Sequence, residues 1–361
     1  MSGIRITNCH IHLFTDRHVP EDYPYRWLRL FKRWPSLIRG LAWLAALVGQ
    51  HPAAEKLRRL HRLQQEAQES SQQDILENIR RHYPGNTRFV VLPMEMSAFG
   101  YGTPRDTLRA QHDELATLAR HPELGASVIP FATIDPRADP KAQEVWRAID
   151  VHGFRGVKIY PRLGFAPDHP VLMQHVYPRM QAQGLPLMTH CSRGGVQGLH
   201  LPDHFADLFT EPEAYRRVMT QFPDLRICLA HFGGQRDWAA YVNPSKPNPF
   251  QDEFQRNWQV AIRRMICSPD WPGMWTGISY TLFQFEDYVP FLRLFLLGDE
   301  DWNEQLRRRV LFGSDFYMTR QEELSEKAVC FRLRNALGDE VFRRIAEENS
   351  QVWLGEQDER A

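Results

Sequence analysis

Hydrophobic and polar positions along the chain repeat one pattern. A short apolar or β-branched run is followed by a polar or glycine-bearing loop, then by a longer stretch with apolar residues at helical spacing. Eight runs open these repeats: IRITNCHI (4–11), RFVVLP (88–93), ASVIPFATI (126–134), GFRGVKIY (153–160), LPLMTH (185–190), RICLAH (226–231), MWTGISY (274–280) and RVLFGSD (309–315). Between them, stretches such as RDTLRAQHDELATLARHPELG (105–125), with Pro104 before it and Gly125 at its end, predict amphipathic helices. Strands that alternate with helices need crossover connections and therefore a parallel sheet. Eight such units predict an α/β fold, a (β/α)8 TIM barrel, and no G-x-G-x-x-G follows an early strand to favour an open dinucleotide-binding sheet.

Two stretches interrupt the rhythm. Thr15 to Asn86 is too long for a structureless loop, and EDYPYRWLRLFKRWPSLIRGLAWLAALVGQ (21–50) within it reads as helices separated by Pro35. We expect one barrel over residues 1–361, with residues 15–86 as a helical insertion after the first strand, acting as a lid or an oligomer contact. Its most apolar part, Leu37 to Gly49, contains Arg39 and is too short to span a bilayer, which takes about 20 helical residues. After the sixth run, GGQRDWAAYVNPSKPNPFQDEF (233–254) reads as a long functional or oligomer-contact loop.

Composition narrows the partners. Lys+Arg and Asp+Glu are both 44 in 361 residues, so no broad basic field exists for a phosphate backbone and nucleic acid is not expected. A small-molecule substrate is expected instead. The 43 % hydrophobic content supports a large core. Five cysteines, Cys9, Cys191, Cys228, Cys267 and Cys330, lack C-x-x-C spacing, which argues against a disulfide framework or a cysteine zinc site and fits a reducing compartment. The opening MSGIRITNCH has no secretory pattern, so a cytoplasmic, membrane-free enzyme is expected, with homo-oligomerisation through the apolar insertion as a further expectation.

The chemistry stands at the run ends. In a (β/α)8 barrel, active groups collect at the carboxyl ends of the strands. The first run ends in His10 and His12, the fourth carries Lys158, the fifth ends in His190, the sixth in His231 and the eighth in Asp315. Residues separated by one other on a strand face the same way, so His10 and His12 converge while Cys9 and Ile11 should face away. Imidazoles with one carboxylate suit Zn²⁺, Fe²⁺ or Mn²⁺ better than Mg²⁺ or Ca²⁺. Such an ion generates a hydroxide nucleophile near neutral pH and polarises a carbonyl, with Asp315 placed to take the water's proton.

The motifs HIH after the first run, THCSRGG after the fifth, AHFGG after the sixth and FGSDF at the eighth resemble the amidohydrolase superfamily. The resemblance is to the branch that includes aminocarboxymuconate-semialdehyde decarboxylase and related hydrolases and lactonases. It covers nearly the whole chain apart from the insertion, and FRRIAEENSQVWLG (342–355) looks like that branch's closing helix. The resemblance implies His10, His12, His190 and Asp315 as ligands of a divalent metal, zinc first and manganese or iron next. It implies His231 as a group that bonds substrate or water, or ligates a second ion. Some members of the superfamily carboxylate a fourth-strand lysine to bridge two metals. For Lys158 the preferred expectation is a plain positive charge that binds a substrate anion or pairs with a nearby carboxylate, since this branch is largely mononuclear.

Around this centre Arg193, Arg162 and Tyr160 are candidate substrate-binding residues, the arginines as bidentate partners of a carboxylate and, alternatively, as solvated surface charges. Glu95 is a candidate partner for a ligand histidine or an exposed loop acid, and Cys191 is expected to pack rather than react. The function expected is hydrolysis of a small amide, lactone or ester by metal-bound hydroxide, with Asp315 and His231 catalytic. The alternative is a non-oxidative, metal-dependent decarboxylase of a small carboxylic acid, which needs the same ligands. A catalytically silent barrel would predict lost ligands, and every expected one is present.

Overall fold

The computed structural model describes residues 3–23, 71–243, 257–279, 285–316 and 326–357. Strands β1 (Thr7–Ile11), β2 (Arg88–Val91) and β3 (Val128–Pro130) pair in parallel in that order. Strands β4 (Ala132–Thr133), β5 (Val157–Ile159), β6 (Leu187–Thr189), β7 (Ile227–Leu229), β8 (Met274–Ile278) and β9 (Val310–Phe312) continue, each parallel to the next. The third apolar run supplies both β3 and β4. It bends between them so that Phe131 N–H donates to Val91 C=O (3.1 Å) and Ala132 N–H to Gly156 C=O (2.9 Å), which carries one sheet into the next. Where the two ends of the series meet, Asp315 N–H donates to His10 C=O at 2.9 Å. The approach there is close enough that a Cβ on Gly313 would stand 2.8 Å from that of His10. With helices outside the strands, the architecture is the expected (β/α)8 TIM barrel.

Period-two alternation sorts the side chains into two cores. Val90, Phe131, Met188, Cys228, Trp275 and Leu311 pack together inside the barrel, and Trp353 and Leu354 from the chain's closing helix join them. Trp353 stacks on Phe131 with ring centroids 5.5 Å apart. Val91, Val157, Ile159, Leu187, Leu229 and Phe312 face outward against the helices. The helix Gln143–His152 shows how the local sequence feeds this layer. Val145, Ala148 and Ile149 fall on one face and are buried, and the helix stops at Gly153, whose φ of +73° suits glycine at a left-handed cap. Burial of a side chain the size of Val145 or Ile149 contributes about 1.5–3 kcal/mol.

Strict alternation fails in β1. Cys9 packs in the inner cluster and Ile11 in the outer one, so Cys9 does not face away from the mouth as expected. The β1–β2 register shifts between Asn8 and Ile11, and this irregularity adds the residue that lets Cys9 and His10 both serve the interior. Residues 24–70, most of the expected insertion, lie outside the described residues; the helix Gln72–Arg80 at its end is present. The stretch after β7 corrects another expectation, because its first part is the helix Gln235–Val242 rather than loop; residues 244–256 lie outside the described residues. Among the described residues no helix is long and apolar enough to cross a membrane.

Candidate metal centre

The strand-end residues meet at one mouth. His10, His12, His190, His231, Lys158 and Asp315 are all buried there, none more than 7 % exposed. His12 leaves β1 with its Nδ1–H donated to Leu92 C=O, the residue after β2, at 2.7 Å. A carbonyl can only accept, so the neutral ring carries its lone pair on Nε2, which lies 3.3 Å from His10 Nε2. Across the mouth, His190 Nε2–H donates to Gly194 C=O at 3.2 Å, which leaves the lone pair on Nδ1, 3.1 Å from His231 Nε2. His231 is held in turn through Nδ1 by Ser279 Oγ (3.1 Å), just past β8. Asp315 places one carboxylate oxygen 3.9 Å from His12 Nε2 and the other 3.9 Å from His231 Nδ1.

Local backbone conformation aims two of these groups. His231, Phe232, Gly233 and Gly234 all have positive φ, and Asp315 has φ +55°. A left-handed conformation costs a non-glycine residue about 1–2 kcal/mol, so His231 and Asp315 are held against a local preference, as residues at functional sites often are. The two glycines of AHFGG serve close approach. A Cβ on Gly234 would stand 2.3 Å from that of Ser192, and one on Gly233 2.6 Å from Gln259 N.

The donor set fits a divalent transition ion. Ligand atoms of His10, His231 and Asp315 all lie within 4.8 Å of one another. Carbonyl partners fix the tautomers of His12 and His190 so that each presents a lone pair inward, an arrangement typical of ligand histidines. Within each of two pairs, His10–His12 and His190–His231, ring nitrogens 3.3 and 3.1 Å apart suit ligands that sit about 2.0–2.1 Å from an ion. Burial keeps all four imidazoles neutral, as ligands must be. It lowers the pKa of His12 to about 3 and those of His10, His190 and His231 well below the usual histidine value, with Lys158 and neighbouring histidines adding to the effect.

Lys158 is 1 % exposed, its Nζ has no hydrogen-bond partner among the described residues, and the ammonium lies 5.8 Å from the centre of the Tyr160 ring. Burial lowers its pKa to about 8, opposed by the charge of Asp315. Tyr160 stacks on His190, with centroids 4.3 Å apart and planes at 17°, and its hydroxyl accepts Val196 N–H at 3.3 Å. Gly195 is needed beneath it, since a Cβ there would come within 2.6 Å of the tyrosine oxygen.

Both arginines depart from expectation. Arg162 is fully buried and its guanidinium is taken by Asp203, Asp207 and Gln197, so it is neither a free carboxylate clamp nor a solvated charge. Arg193 gives its Nε–H to Asp237 (2.9 Å) and lies 4.4 Å over the Trp258 ring. Each is held by carboxylates of its own chain, which compete with any substrate anion. Glu95 is buried and accepts Ser97 N–H at 2.7 Å, rather than lying exposed. Cys191 is buried, and burial pushes its thiol pKa well up, in keeping with packing. The supporting partners Leu92 C=O, Gly194 C=O, Ser192 (Oγ 3.2 Å from His190 Nε2) and Ser279 escaped sequence reasoning. Two are backbone carbonyls with no side-chain signature, and only Ser192, inside the THCSRGG motif, carries a local hint.

Comparisons with known proteins bear on the family and the fold. A family model described as Amidohydrolase matches residues 7–355. No curated protein matches in sequence. Among solved structures, 5-carboxyvanillate decarboxylase LigW from Sphingomonas paucimobilis is similar in fold at 15 % identity and a TM-score of 0.54, over 98 % of this chain and 99 % of that one. A protein titled Amidohydrorolase II is similar at 15 % identity and a TM-score of 0.52, over 97 % and 99 % of the two chains. With the family model running from β1 to the closing helix, this chain belongs to the amidohydrolase family.

Proposed function

We propose that this chain is a metal-dependent hydrolase of an amide, lactone or ester in a small, carboxylate-bearing molecule. We place its chemistry on one barrel unit that spans the chain, with residues 15–86 inserted after the first strand. The observation that carries the reading is the meeting of His10, His231 and Asp315, whose ligand atoms lie within 4.8 Å of one another, beside buried His12 and His190 and the Lys158 ammonium, which has no hydrogen-bond partner among the described residues. His10, His12, His190 and Asp315 would hold one ion, zinc first, with manganese or iron as the other candidates. A divalent ion bound there polarises a substrate carbonyl and brings the ionisation of water toward neutral pH.

The chain's own residues do the rest. Asp315, adjacent to His12 and His231, accepts a proton from the attacking water and passes it to the leaving group. His231 polarises the substrate from the far side of the donor cluster, with Ser279 fixing its ring. Tyr160, stacked on His190, walls the site, and the Lys158 ammonium attracts the substrate's carboxylate.

The second reading, non-oxidative decarboxylation, draws on the same Lys158 ammonium. There its charge orients the acid, and a protonated group delivers H⁺ to carbon as CO₂ leaves. Product analysis separates the two: incorporation of water without CO₂ supports hydrolysis, and CO₂ release without water addition overturns it. Elemental analysis of protein purified without chelators tests the ligand set. About one zinc per chain, lost in His190→Ala, supports it, and a wild-type chain that holds no metal after reloading refutes it.

A further inference from the structure

The buried Arg162 network ends on a ligand histidine. Arg162 stands in the turn Pro161–Leu163 that follows β5, fully enclosed, and its guanidinium donates to Asp207 and Asp203 on the short helix Asp203–Leu208. Asp203 is half exposed and also meets Arg236, whereas the Asp207 side chain is only 12 % exposed. The same Oδ1 of Asp207 that meets Arg162 accepts Gly194 N–H at 3.3 Å. Gly194 C=O in turn accepts His190 Nε2–H. Gly194 has φ +80°, and glycine moves freely among such conformations, so nothing in its own backbone preference keeps that carbonyl in place.

A competing partner makes this anchor matter. Ser192 Oγ also lies 3.2 Å from His190 Nε2, and a hydroxyl can accept or donate. If the Gly194 carbonyl swings away, Ser192 can donate to Nε2, the ring proton moves to Nδ1, and the lone pair that faces His231 is lost.

We propose that Asp207, locked in place by Arg162, is a positioning residue that sets the tautomer of His190 through Gly194 and so tunes metal affinity. The metal-affinity part rests on His190 being a ligand, as proposed above; the tautomer part stands without it.

The test uses the full chain with zinc as the probe. Selective ¹⁵N-histidine labelling of metal-free protein, with His190 assigned through His190→Gln, reads the tautomer, and competition with a chromophoric chelator reads zinc affinity. Asp207→Ala is expected to give a mixed His190 tautomer and about 10–100-fold weaker zinc binding, the usual effect of losing an outer partner of a ligand. Because that variant leaves a buried guanidinium short of a partner, Arg162→Met with Asp207→Leu removes both charges together and should show the same tautomer change in a folded chain. Asp203→Asn removes another partner of the same arginine and should stay within about threefold of wild type, with the tautomer intact.

Zinc affinity and tautomer unchanged in both Asp207 variants would overturn the proposal. So would equal losses in Asp203→Asn, which would make the network a general strut. Failure of the wild-type chain to bind zinc would remove the ligand reading alone, and the tautomer measurement would still decide the role of Asp207.

Discussion

Replacing Lys158 by methionine should stabilise the metal-free protein at neutral pH. The ammonium is enclosed without a hydrogen-bond partner among the described residues, and burial lowers its pKa from 10.5 to about 8. At about 1.4 kcal/mol for each tenfold change in proton affinity, holding that charge costs the folded state about 3 kcal/mol. The sign follows from proton binding. Between pH 8 and 10.5 the unfolded chain binds more protons at this residue than the folded chain, so its contribution to stability rises with pH across that window. Below about pH 8 the full cost is present, and above about 10.5 it vanishes. Methionine has a similar length and fills the same space without charge. Urea denaturation of the chelator-treated protein, followed by tryptophan fluorescence, should therefore show Lys158→Met more stable than wild type by about 2–3 kcal/mol at pH 7 and by less than about 1 kcal/mol at pH 10.5. A variant less stable than wild type at pH 7, or a difference that does not shrink with pH, would refute the reasoning and show that Lys158 has a buried partner in solution.

Three other outcomes are expected. The metal-free protein should lose stability as pH falls below about 6.5, because His10, His12, His190 and His231 are held neutral when folded and protonate freely when unfolded; for His12 the window runs from 6.5 down to about 3. Each histidine steepens the decline by up to about 1.4 kcal/mol per pH unit, which acid titration followed by circular dichroism will read, and a flat profile from pH 6.5 to 4.5 would contradict it. Gly234→Ala should cost about 3 kcal/mol and weaken zinc binding, since its Cβ would press on that of Ser192 and its φ of +82° disfavours alanine; unchanged denaturation and zinc titration curves would show that the AHFGG turn yields. Zinc at about 100 times its dissociation constant should stabilise the wild type by about 2.7 kcal/mol, an effect absent from Asp315→Asn if that carboxylate is a ligand, as thermal melts with and without zinc will show.

Much of this protein was legible in its sequence because the relevant rules are local. Period-two runs such as VKI and ICL, and helices closed by residues such as Gly153, repeat one unit often enough to specify a parallel barrel. Barrel topology then brings the ends of distant runs together, so histidine at 10, 12, 190 and 231 and aspartate at 315 could be gathered by position alone. The bulge in β1 lay beyond that rule. One inserted residue inverts parity, and it shows only in the pairing of β1 with β2, so Cys9 was turned the wrong way. The roles of the arginines were also decided in three dimensions. Arg162 and Arg193 read as free cations beside the mouth, but Asp203, Asp207 and Asp237 reach them from helices 41, 45 and 44 residues further along the chain. The tautomers of His12 and His190 depend on the carbonyls of Leu92 and Gly194, groups that every residue carries and no sequence marks. Residue type declares what a side chain can do; only packing determines which partner it meets and how much water is left around it, and those two quantities set its charge and its role.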